Sequence, residues 1–328
     1  MMENLDEAEL CFPQLNSSCR KPTQPPTEAL LIYILLSSMS LLTVALNLLV
    51  IIAISHFRQL HTPTNVFLLS LAVSDLLVGF VLMPVEIIYI EACWFLGDVV
   101  CTLYYVIDYI ITSTSVANMV LISADRYVAI CDPLHYPTRV TKRRAQIGIC
   151  LCWVCSVLYR IFFLHSHLTE PERSHSCLGE CVVVVNKTSA DLIVSFLGPI
   201  LIIIILYLRV FVVAVSQARA MRSHVTAVTH QQTQTVKPKK SEIKAARTLG
   251  VVVAVFLLCS APYYCFIVAH EYQLIGEETA GIEIWLLYIN SCVNPMIYVF
   301  FYPWFRKAIR HIVTLQILQP GSSQTRFM

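Results

Sequence analysis

The chain has 328 residues, of which 57% are hydrophobic and 13% are charged, and its formal net charge is +2. Soluble domains carry about 25% charged residues, so this composition excludes an ordinary soluble protein. Apolar runs long enough to cross a bilayer lie, in chain order, at 29–55, 65–90, 98–131, 144–165, 187–217, 244–270 and 281–302. The sequence therefore predicts an all-α membrane protein with a seven-transmembrane helix bundle over 29–302.

The tail before the first run, 1–28, is acidic and has no apolar signal-peptide core, so the first run is expected to act as its own insertion signal. Basic residues concentrate on the cytoplasmic side of a membrane. With the tail outside, that side holds all but five of the 23 Lys and Arg residues. The five are Arg20, Lys21, Arg160, Arg173 and Lys187. We predict a multi-pass plasma-membrane protein with an extracellular N-terminus, ending in an amphipathic helix and cytoplasmic tail at 303–328.

Six of the thirteen cysteines are expected on the extracellular side, in an oxidising compartment. An even number predicts up to three disulfides but leaves their connectivity open. The six are Cys11, Cys19, Cys93, Cys101, Cys177 and Cys181. Asn16 and Asn186 begin N-x-S/T sequons on the same side and are predicted glycosylation sites.

Two long motifs close the third and seventh runs, SADRYVAICDPLHYP and NSCVNPMIYVFFYPWF. With Asn47, Asp75 and Trp153 in the first, second and fourth runs, they resemble the rhodopsin-like (class A) G protein-coupled receptors. The fuller seventh-run motif, CLGEC and NSSC are similar to the trace amine-associated receptors, an olfactory and amine-sensing branch. The resemblance implies an amine ligand, a heterotrimeric G protein with a stimulatory or olfactory alpha subunit that raises cyclic AMP, and arrestin. No nucleic-acid partner is expected.

The motif at the inner end of the third run places an arginine where it must be paired or solvated. The resemblance implies that Arg126 is held in the inactive state, with Glu242 of the sixth run as a candidate partner. In the seventh run Pro295 breaks the local backbone hydrogen bonding, which suits a hinge. The residues implied in G protein coupling and switching are Asp125, Arg126, Tyr127, Glu242, Pro295 and Tyr298.

An acid in the second run, Asp75, lies at mid-membrane depth among amides and hydroxyls. Such groups form interhelical hydrogen-bond networks, and the resemblance implies in addition an allosteric sodium ion beside Asp75. The residues concerned are Asn47, Asp75, Ser115, Asn290 and Asn294. The sixth run departs from the family, because Ser260 stands where tryptophan is usual. The family's usual account of activation therefore cannot be transferred directly.

Asp108 lies seven residues after Cys101, roughly 10 Å below the outer end of the third run. The resemblance implies that Asp108 binds a protonated amine and that Tyr288 faces it. A buried carboxylate beside an aromatic ring suits an ammonium ion. The resemblance also implies a Cys101–Cys181 disulfide that holds the second extracellular loop over the pocket. The other four outer cysteines are predicted to pair as Cys11–Cys177 and Cys19–Cys93.

A second acid, Asp191, opens the fifth run, where burial at the helix centre would cost about 2.5–3.5 kcal/mol. It lies eight residues before Pro199, roughly 12 Å nearer the outside and at the depth of Asp108. Two carboxylates on opposite walls match a ligand with two ammonium groups, such as putrescine or cadaverine. The alternative is an interfacial Asp191 that pairs with Lys187.

Further side chains are predicted to line the same pocket, although aromatic residues also serve ordinary helix packing. They are Tyr105, Tyr109, Thr112, Ser195, Tyr263, Tyr264 and Ile284, with Glu86 as a third acid at the edge.

Two other functions are weighed against a diamine receptor. The first is a monoamine receptor for a serotonin- or histamine-like ligand, in which Ser195 would assist. The second is an organic-cation transporter, which would show inverted repeats and broken helices that the sequence lacks. An enzyme is not expected, because the sequence has no metal-ligand cluster, nucleophile elbow or phosphate loop.

Overall fold

The computed structural model describes residues 10–15, 17–19, 26–91, 93–169, 177, 179, 181, 193–226, 240–271 and 282–325. In this part of the chain, seven helical segments are long and apolar enough to cross a membrane. We call them the first to seventh spans. Their helices are Pro26–His56, Pro63–Leu77 with Met83–Glu91, Gly97–Cys131, Lys142–Thr169, Gly198–Thr226, Lys240–Glu271 and Ile282–Phe301. The predicted seven-span, all-α bundle is confirmed.

Short irregular segments interrupt or join these helices. One π-helical turn, Val78–Leu82, lies inside the second span, and another, Ile193–Leu197, opens the described part of the fifth. The predicted start of the fifth run at 187 lies outside the described residues. A four-residue helix, Tyr136–Arg139, joins the third and fourth spans. Single 3-10 turns occupy Arg58–Leu60, Gln316–Leu318 and Ser322–Gln324.

The first and second spans approach closely at the π-helical turn. Ser40 Oγ donates a hydrogen bond to the backbone carbonyl of Gly79 at 2.8 Å, in a buried position. A Cβ atom at Gly79 would lie 2.9 Å from the side chain of Thr43, which real Cβ contacts do not tolerate. Glycine at this position therefore permits the contact between the spans, and the π-helical turn shifts the register of the residues that follow it.

The third span is the centre of the bundle and packs against the second, fourth, fifth and sixth spans. Its buried side chains include many polar groups, whereas the outward faces of the bundle carry large apolar residues such as Phe80, Phe162 and Leu258. In a bilayer such outward residues meet lipid, so polar side chains turn inward and pair across helices. Polar sites in this protein are therefore found between spans.

After the seventh span the chain turns at Tyr302 into an eighth helix, Pro303–Val313. Phe305 and Ala308 are fully buried against the inner end of the bundle, where Phe305 packs edge-to-face on Tyr298 at 6.3 Å. The opposite face carries exposed basic residues such as Arg306. The predicted basic amphipathic helix is present, and its apolar face is partly occupied by the bundle itself.

Three disulfides join the described residues near the outer ends of the spans. Cys101–Cys181 forms as expected, but the predicted pairing of the other four cysteines is wrong. The observed bonds are Cys11–Cys93 and Cys19–Cys177.

The backbone near Gly179 explains the observed pairing. Gly179, whose φ of +107° favours glycine, lies so close to Cys11 that an added Cβ would be 2.9 Å from the cysteine side chain. The carbonyl of Gly179 also accepts a hydrogen bond from the N–H of Trp94 at 2.8 Å. Cys11 is thereby placed beside Cys93, the neighbour of Trp94. Cys19, whose carbonyl accepts a hydrogen bond from the N–H of Cys11 at 2.8 Å, is left for Cys177.

Candidate functional site

Asp108 of the third span faces the interior of the helix bundle and is 8% exposed. Tyr288 of the seventh span donates a hydrogen bond to its Oδ1 at 3.1 Å. Thr112, one turn further along the third span, donates to the same atom at 3.5 Å. Asp108 and Tyr288, which the sequence analysis paired, are therefore in contact, and both donors meet the same carboxylate oxygen.

A second acid is connected to this pair. Tyr104 donates a hydrogen bond to Glu86 at 2.5 Å, and its hydroxyl lies 3.4 Å from that of Tyr288. Each phenol has one proton to donate, and each donates it to a different carboxylate. We call Glu86, Tyr104, Asp108, Thr112 and Tyr288 the Asp108 cluster. It joins the second, third and seventh spans through hydrogen bonds in which a phenol donates to each of the two acids.

Predicted lining residues surround the cluster on the third and seventh spans. Tyr105 donates a hydrogen bond to the backbone carbonyl of Cys181 at 3.2 Å, which ties the third span to the disulfide-bonded loop. The rings of Tyr105 and Tyr109 lie 6.5 Å apart. Ile284 packs against the apolar cluster that contains Tyr104 and Tyr288.

The fifth and sixth spans contribute a second group of predicted lining residues. Tyr264 stacks on Phe196, with ring centroids 3.4 Å apart, and meets Tyr263 edge-to-face at 5.2 Å. Ser195, next to Phe196, is half-buried.

Several predicted residues lie outside the described part of the chain. They are Asp191, the proposed second ammonium site, and the two sequon residues Asn16 and Asn186. Glu242 belongs to the helix of the sixth span, but its side chain is also outside the described part.

The sequence did not single out Arg160 as a site residue. Arg160 lies in the fourth span, 6% exposed, with its guanidinium 4.4 Å from the ring centroid of Tyr109. It donates a hydrogen bond to Ser113 Oγ at 3.3 Å. A basic residue among apolar neighbours was the available signal. Only the rotation of the helix decides whether such a residue faces lipid, solvent or the bundle.

Tyr104 and Trp285 were also missed. Tyr104 connects Glu86 to Tyr288, and Trp285 meets Tyr288 edge-to-face at 6.0 Å. Nothing in an aromatic residue within an apolar run separates such a role from packing.

Deeper in the bundle, Asp75 is fully buried at the junction of the second and seventh spans. Ser291 donates to one carboxylate oxygen and Asn294 to the other, both at 2.9 Å. Asn47 Nδ2 donates to the backbone carbonyl of Ser291 at 2.9 Å. Of the predicted network, Asn294 bonds to Asp75 directly and Asn47 is connected to it through Ser291, which is an additional member.

The other two predicted members of this network, Ser115 and Asn290, are buried without a bond to Asp75 among the described residues. Four buried oxygens on Asn47, Ser115, Asn290 and Asn294 accept no hydrogen bond in this part of the chain. Carboxylate and neutral oxygens are ligands that suit a hard cation rather than a soft transition metal. In the described residues no cluster of His, Cys, Asp and Glu with metal-binding composition occurs.

At the inner end of the third span, Arg126 is paired with its neighbour Asp125 through Nε at 3.0 Å and through Nη2. Two further donors hold Asp125: Tyr136 at 2.8 Å and Thr64 at 2.9 Å. Burial and the adjacent Asp125 carboxylate raise the pKa of Tyr136 to about 12, so its phenol keeps the proton that it donates. We call Thr64, Asp125, Arg126 and Tyr136 the Arg126 cluster, whereas Tyr127 is exposed.

The remaining predicted switch residues lie in the inner halves of the sixth and seventh spans. Pro295 is inside the helix of the seventh span. Tyr298 is 2% exposed and packs edge-to-face against Tyr302 at 6.0 Å. Ser260 is fully buried, and its hydroxyl has no hydrogen-bond partner among the described residues. The position at which tryptophan is usual is thus occupied by a small side chain in the interior.

Comparison with known proteins agrees with this geometry. The chain matches the family model for the 7 transmembrane receptor (rhodopsin family) over residues 46–298. It is 37% identical to trace amine-associated receptor 13c of Danio rerio over 98% of this chain and 96% of that protein. It is 39% identical to trace amine-associated receptor 7f of Mus musculus, over 97% and 92% of the two chains. Trace amine-associated receptor 4 of Mus musculus is 34% identical over 97% and 94%.

Proposed function

Because the chain belongs to the rhodopsin family of seven-transmembrane receptors and, within it, to the trace amine-associated receptors, we propose that its ligand is a diamine. Membership makes the protein a multi-pass plasma-membrane receptor for amines that acts through a G protein, and not an enzyme. The proposal concerns which amine binds. We assign the first ammonium group to Asp108 and the second to Asp191 of the fifth run, with cadaverine and putrescine as representative ligands.

The observation that carries the first half is the Asp108 carboxylate. It is buried, and Tyr288 at 3.1 Å and Thr112 at 3.5 Å both donate to one of its oxygens. A buried carboxylate needs a cation or further donors to offset its desolvation. An ammonium ion supplies up to three N–H donors and the opposite charge.

The second half rests on the sequence of the fifth run. Asp191 precedes Pro199 by eight residues, which corresponds to the depth of Asp108. A site with two carboxylates discriminates against a ligand with one ammonium group, because one buried charge is then left unpaired. The apolar end of a monoamine would lie against a carboxylate without supplying a hydrogen-bond donor or a positive charge.

The test is a cyclic AMP assay in transfected cells that compares cadaverine with pentylamine, which has the same chain and one amine fewer. The wild type is expected to prefer cadaverine, and Asp191→Ala to lose that preference while it still responds to pentylamine. An Asp191→Ala receptor with the wild-type preference would refute the two-carboxylate site. Equal responses of the wild type to both ligands would instead favour a monoamine receptor, in which the half-buried Ser195 contacts the ligand.

We further propose coupling through a stimulatory or olfactory alpha subunit, with arrestin recruitment and a role in olfaction. The cyclic AMP response should disappear in cells that lack these alpha subunits and return when either is expressed.

We propose an extracellular N-terminus carrying glycans at Asn16 and Asn186. An epitope tag on the tail should be stained on intact cells, and Asn16→Gln and Asn186→Gln should each remove one glycosidase-sensitive shift in gel mobility.

A sodium ion beside Asp75 is the last part of the proposal. The Asp75 carboxylate and the buried oxygens of Ser115 and Asn290 would hold the ion, which would favour one arrangement of the second, third and seventh spans. Agonist affinity should fall when sodium replaces an organic cation in the buffer, and Asp75→Asn should abolish this dependence. If the agonist affinity of the wild type does not depend on sodium, the proposed ion is refuted and the residues around Asp75 form a hydrogen-bond network alone.

A further inference from the structure

Beyond the eighth helix the chain continues into a short folded segment, residues 314–325, which we call the folded tail. Two residues with positive φ reverse its direction, Leu315 at +57° and Gly321 at +82°. The 3-10 turn Gln316–Leu318 lies between them. We propose that the folded tail and the eighth helix together form a docking surface for an anionic phospholipid bilayer. The inference goes beyond the proposed function, because no part of it depends on which amine binds.

The folded tail is tied to the inner end of the first span. Nε2 of His56, the last residue of that span, lies 3.0 Å from Ser322 Oγ. Ser322 donates its only hydroxyl proton to the backbone carbonyl of Ile317 at 2.7 Å, so His56 is the donor in the bond between them. In addition, the ring of His311 in the eighth helix meets that of Phe57 edge-to-face at 6.3 Å.

These contacts fix the depth of the folded tail relative to the membrane. The apolar helix of the first span that ends at His56 has 27 residues and is therefore about 40 Å long. That length matches a bilayer together with its headgroups. A segment bonded to the end of this helix thus lies at the depth of the lipid headgroups, where apolar side chains can reach the acyl chains.

Three large apolar side chains are exposed at this depth, and we call Val313, Leu315 and Leu318 the tail patch. Their exposed fractions lie between 65% and 77%. Leu315 is the one non-glycine residue with positive φ in the described part of the chain, a conformation that glycine adopts without the steric cost that leucine meets. Packing within the described residues does not explain a leucine there, because its side chain is exposed. Contact with lipid supplies the missing reason.

The charge of the same stretch complements an anionic membrane. Residues 303–328 contain four Lys or Arg residues and no Asp or Glu. Three of the four, Arg306, Lys307 and Arg310, are exposed on the eighth helix. Each Lys or Arg near an anionic leaflet favours binding by about fivefold. The stretch also contains no cysteine, so the attachment that we propose needs no thioester-linked lipid.

The experiment measures hydrogen–deuterium exchange of the backbone amides of residues 314–320 in the full-length protein. The protein is placed in nanodiscs of phosphatidylcholine alone or of phosphatidylcholine mixed with phosphatidylserine. Wild-type exchange should be at least about fivefold slower with phosphatidylserine, which is the effect of one basic residue at an anionic surface. Equal exchange rates in the two lipids would overturn the proposal.

A polar substitution in the tail patch tests the apolar part of the surface. Leu318→Ser should exchange faster than the wild type in both kinds of nanodisc, because the side chain that enters the bilayer is lost. The matched control is Leu134→Ser, which removes an equally exposed leucine (65%) from the connection between the third and fourth spans and should exchange like the wild type. A Leu318→Ser protein with wild-type exchange would contradict the lipid contact.

Brominated lipids identify what covers the tail patch. Leu318→Trp and Phe300→Trp are compared in nanodiscs whose acyl chains carry bromine, a fluorescence quencher, after subtraction of the wild-type emission. Phe300 lies on the lipid-facing surface of the seventh span and is 75% exposed, so both variants should be quenched. Emission of Leu318→Trp that bromine does not change would refute the proposal. Slow exchange of residues 314–320 in that case would mean that protein, such as a second copy of this chain, covers the patch instead.

Discussion

Replacement of Tyr288 by phenylalanine tests the geometry at Asp108 with a single atom. The change removes the hydroxyl that donates to Asp108 at 3.1 Å and leaves Thr112 at 3.5 Å as the remaining donor to that oxygen among the described contacts. Hydrogen bonds to charged groups contribute about 1.5–3 kcal/mol. The bond also exists in the ligand-free protein, so part of the loss is common to both states. We therefore expect the lower end of the range, about a tenfold rise in the EC50 of an amine.

The matched control is Tyr104→Phe. Tyr104 donates to Glu86, and its hydroxyl lies 3.4 Å from that of Tyr288, so this variant loses an equivalent phenol from the same cluster without removing a donor to Asp108. Pentylamine, which needs only the first ammonium site, should discriminate between the two variants in a cyclic AMP assay. A Tyr288→Phe receptor with wild-type EC50, or an equal loss in Tyr104→Phe, would contradict the assignment of the ammonium group to Asp108.

Three further changes test other parts of the structure. Tyr136→Phe removes the hydroxyl that donates to Asp125 at 2.8 Å. Basal cyclic AMP normalised to surface expression should therefore rise about two- to tenfold. Unchanged basal signalling would argue against a restraining role for the Arg126 cluster. Cys11→Ser and Cys93→Ser should each lower the free energy of unfolding by about 2–5 kcal/mol, and the double variant should be no less stable than either single one. Cys11→Ser combined with Cys177→Ser should lose two disulfides and be less stable. Thermal unfolding in detergent compares the two double variants. Phe305→Ala should destabilise the protein by about 3–5 kcal/mol. The control Phe300→Ala, on the lipid-facing surface, should cost about 0.5 kcal/mol or less. Equal melting temperatures of the two variants would contradict the packing of the eighth helix.

The spans could be predicted because they depend on a signal of fixed length, whereas the Asp108–Tyr288 contact was implied by the resemblance to the receptor family. Apolar runs of about 20 residues are set by the thickness of the bilayer. The spacing from Cys101 gave the depth of Asp108, and the resemblance placed Tyr288 opposite it. The Asp75 network followed in the same way, because an acid at mid-membrane depth must find donors on neighbouring helices.

Other features depended on information that no single segment contains. The pairing of Cys11 with Cys93 is decided by a close approach of the tail to Gly179, a contact between residues distant in sequence. Arg160 was assigned to the outer side by its position along the chain, but the rotation of the fourth span turns it toward Tyr109. In the Arg126 cluster, Thr64 comes from the start of the second span and Tyr136 from the connection between the third and fourth spans, and neither carries a signal of its own.

The edge-to-face contact of Trp285 with Tyr288 has a practical consequence. The sequence has four tryptophans, and this one touches the tyrosine that hydrogen-bonds to Asp108. Its indole is 8% exposed and is therefore shielded from aqueous quenchers. With serine at 260, no indole from that position of the sixth span adds to the emission. Intrinsic fluorescence of the purified protein can thus report the arrival of a transparent aliphatic amine, and Trp285→Phe provides the blank.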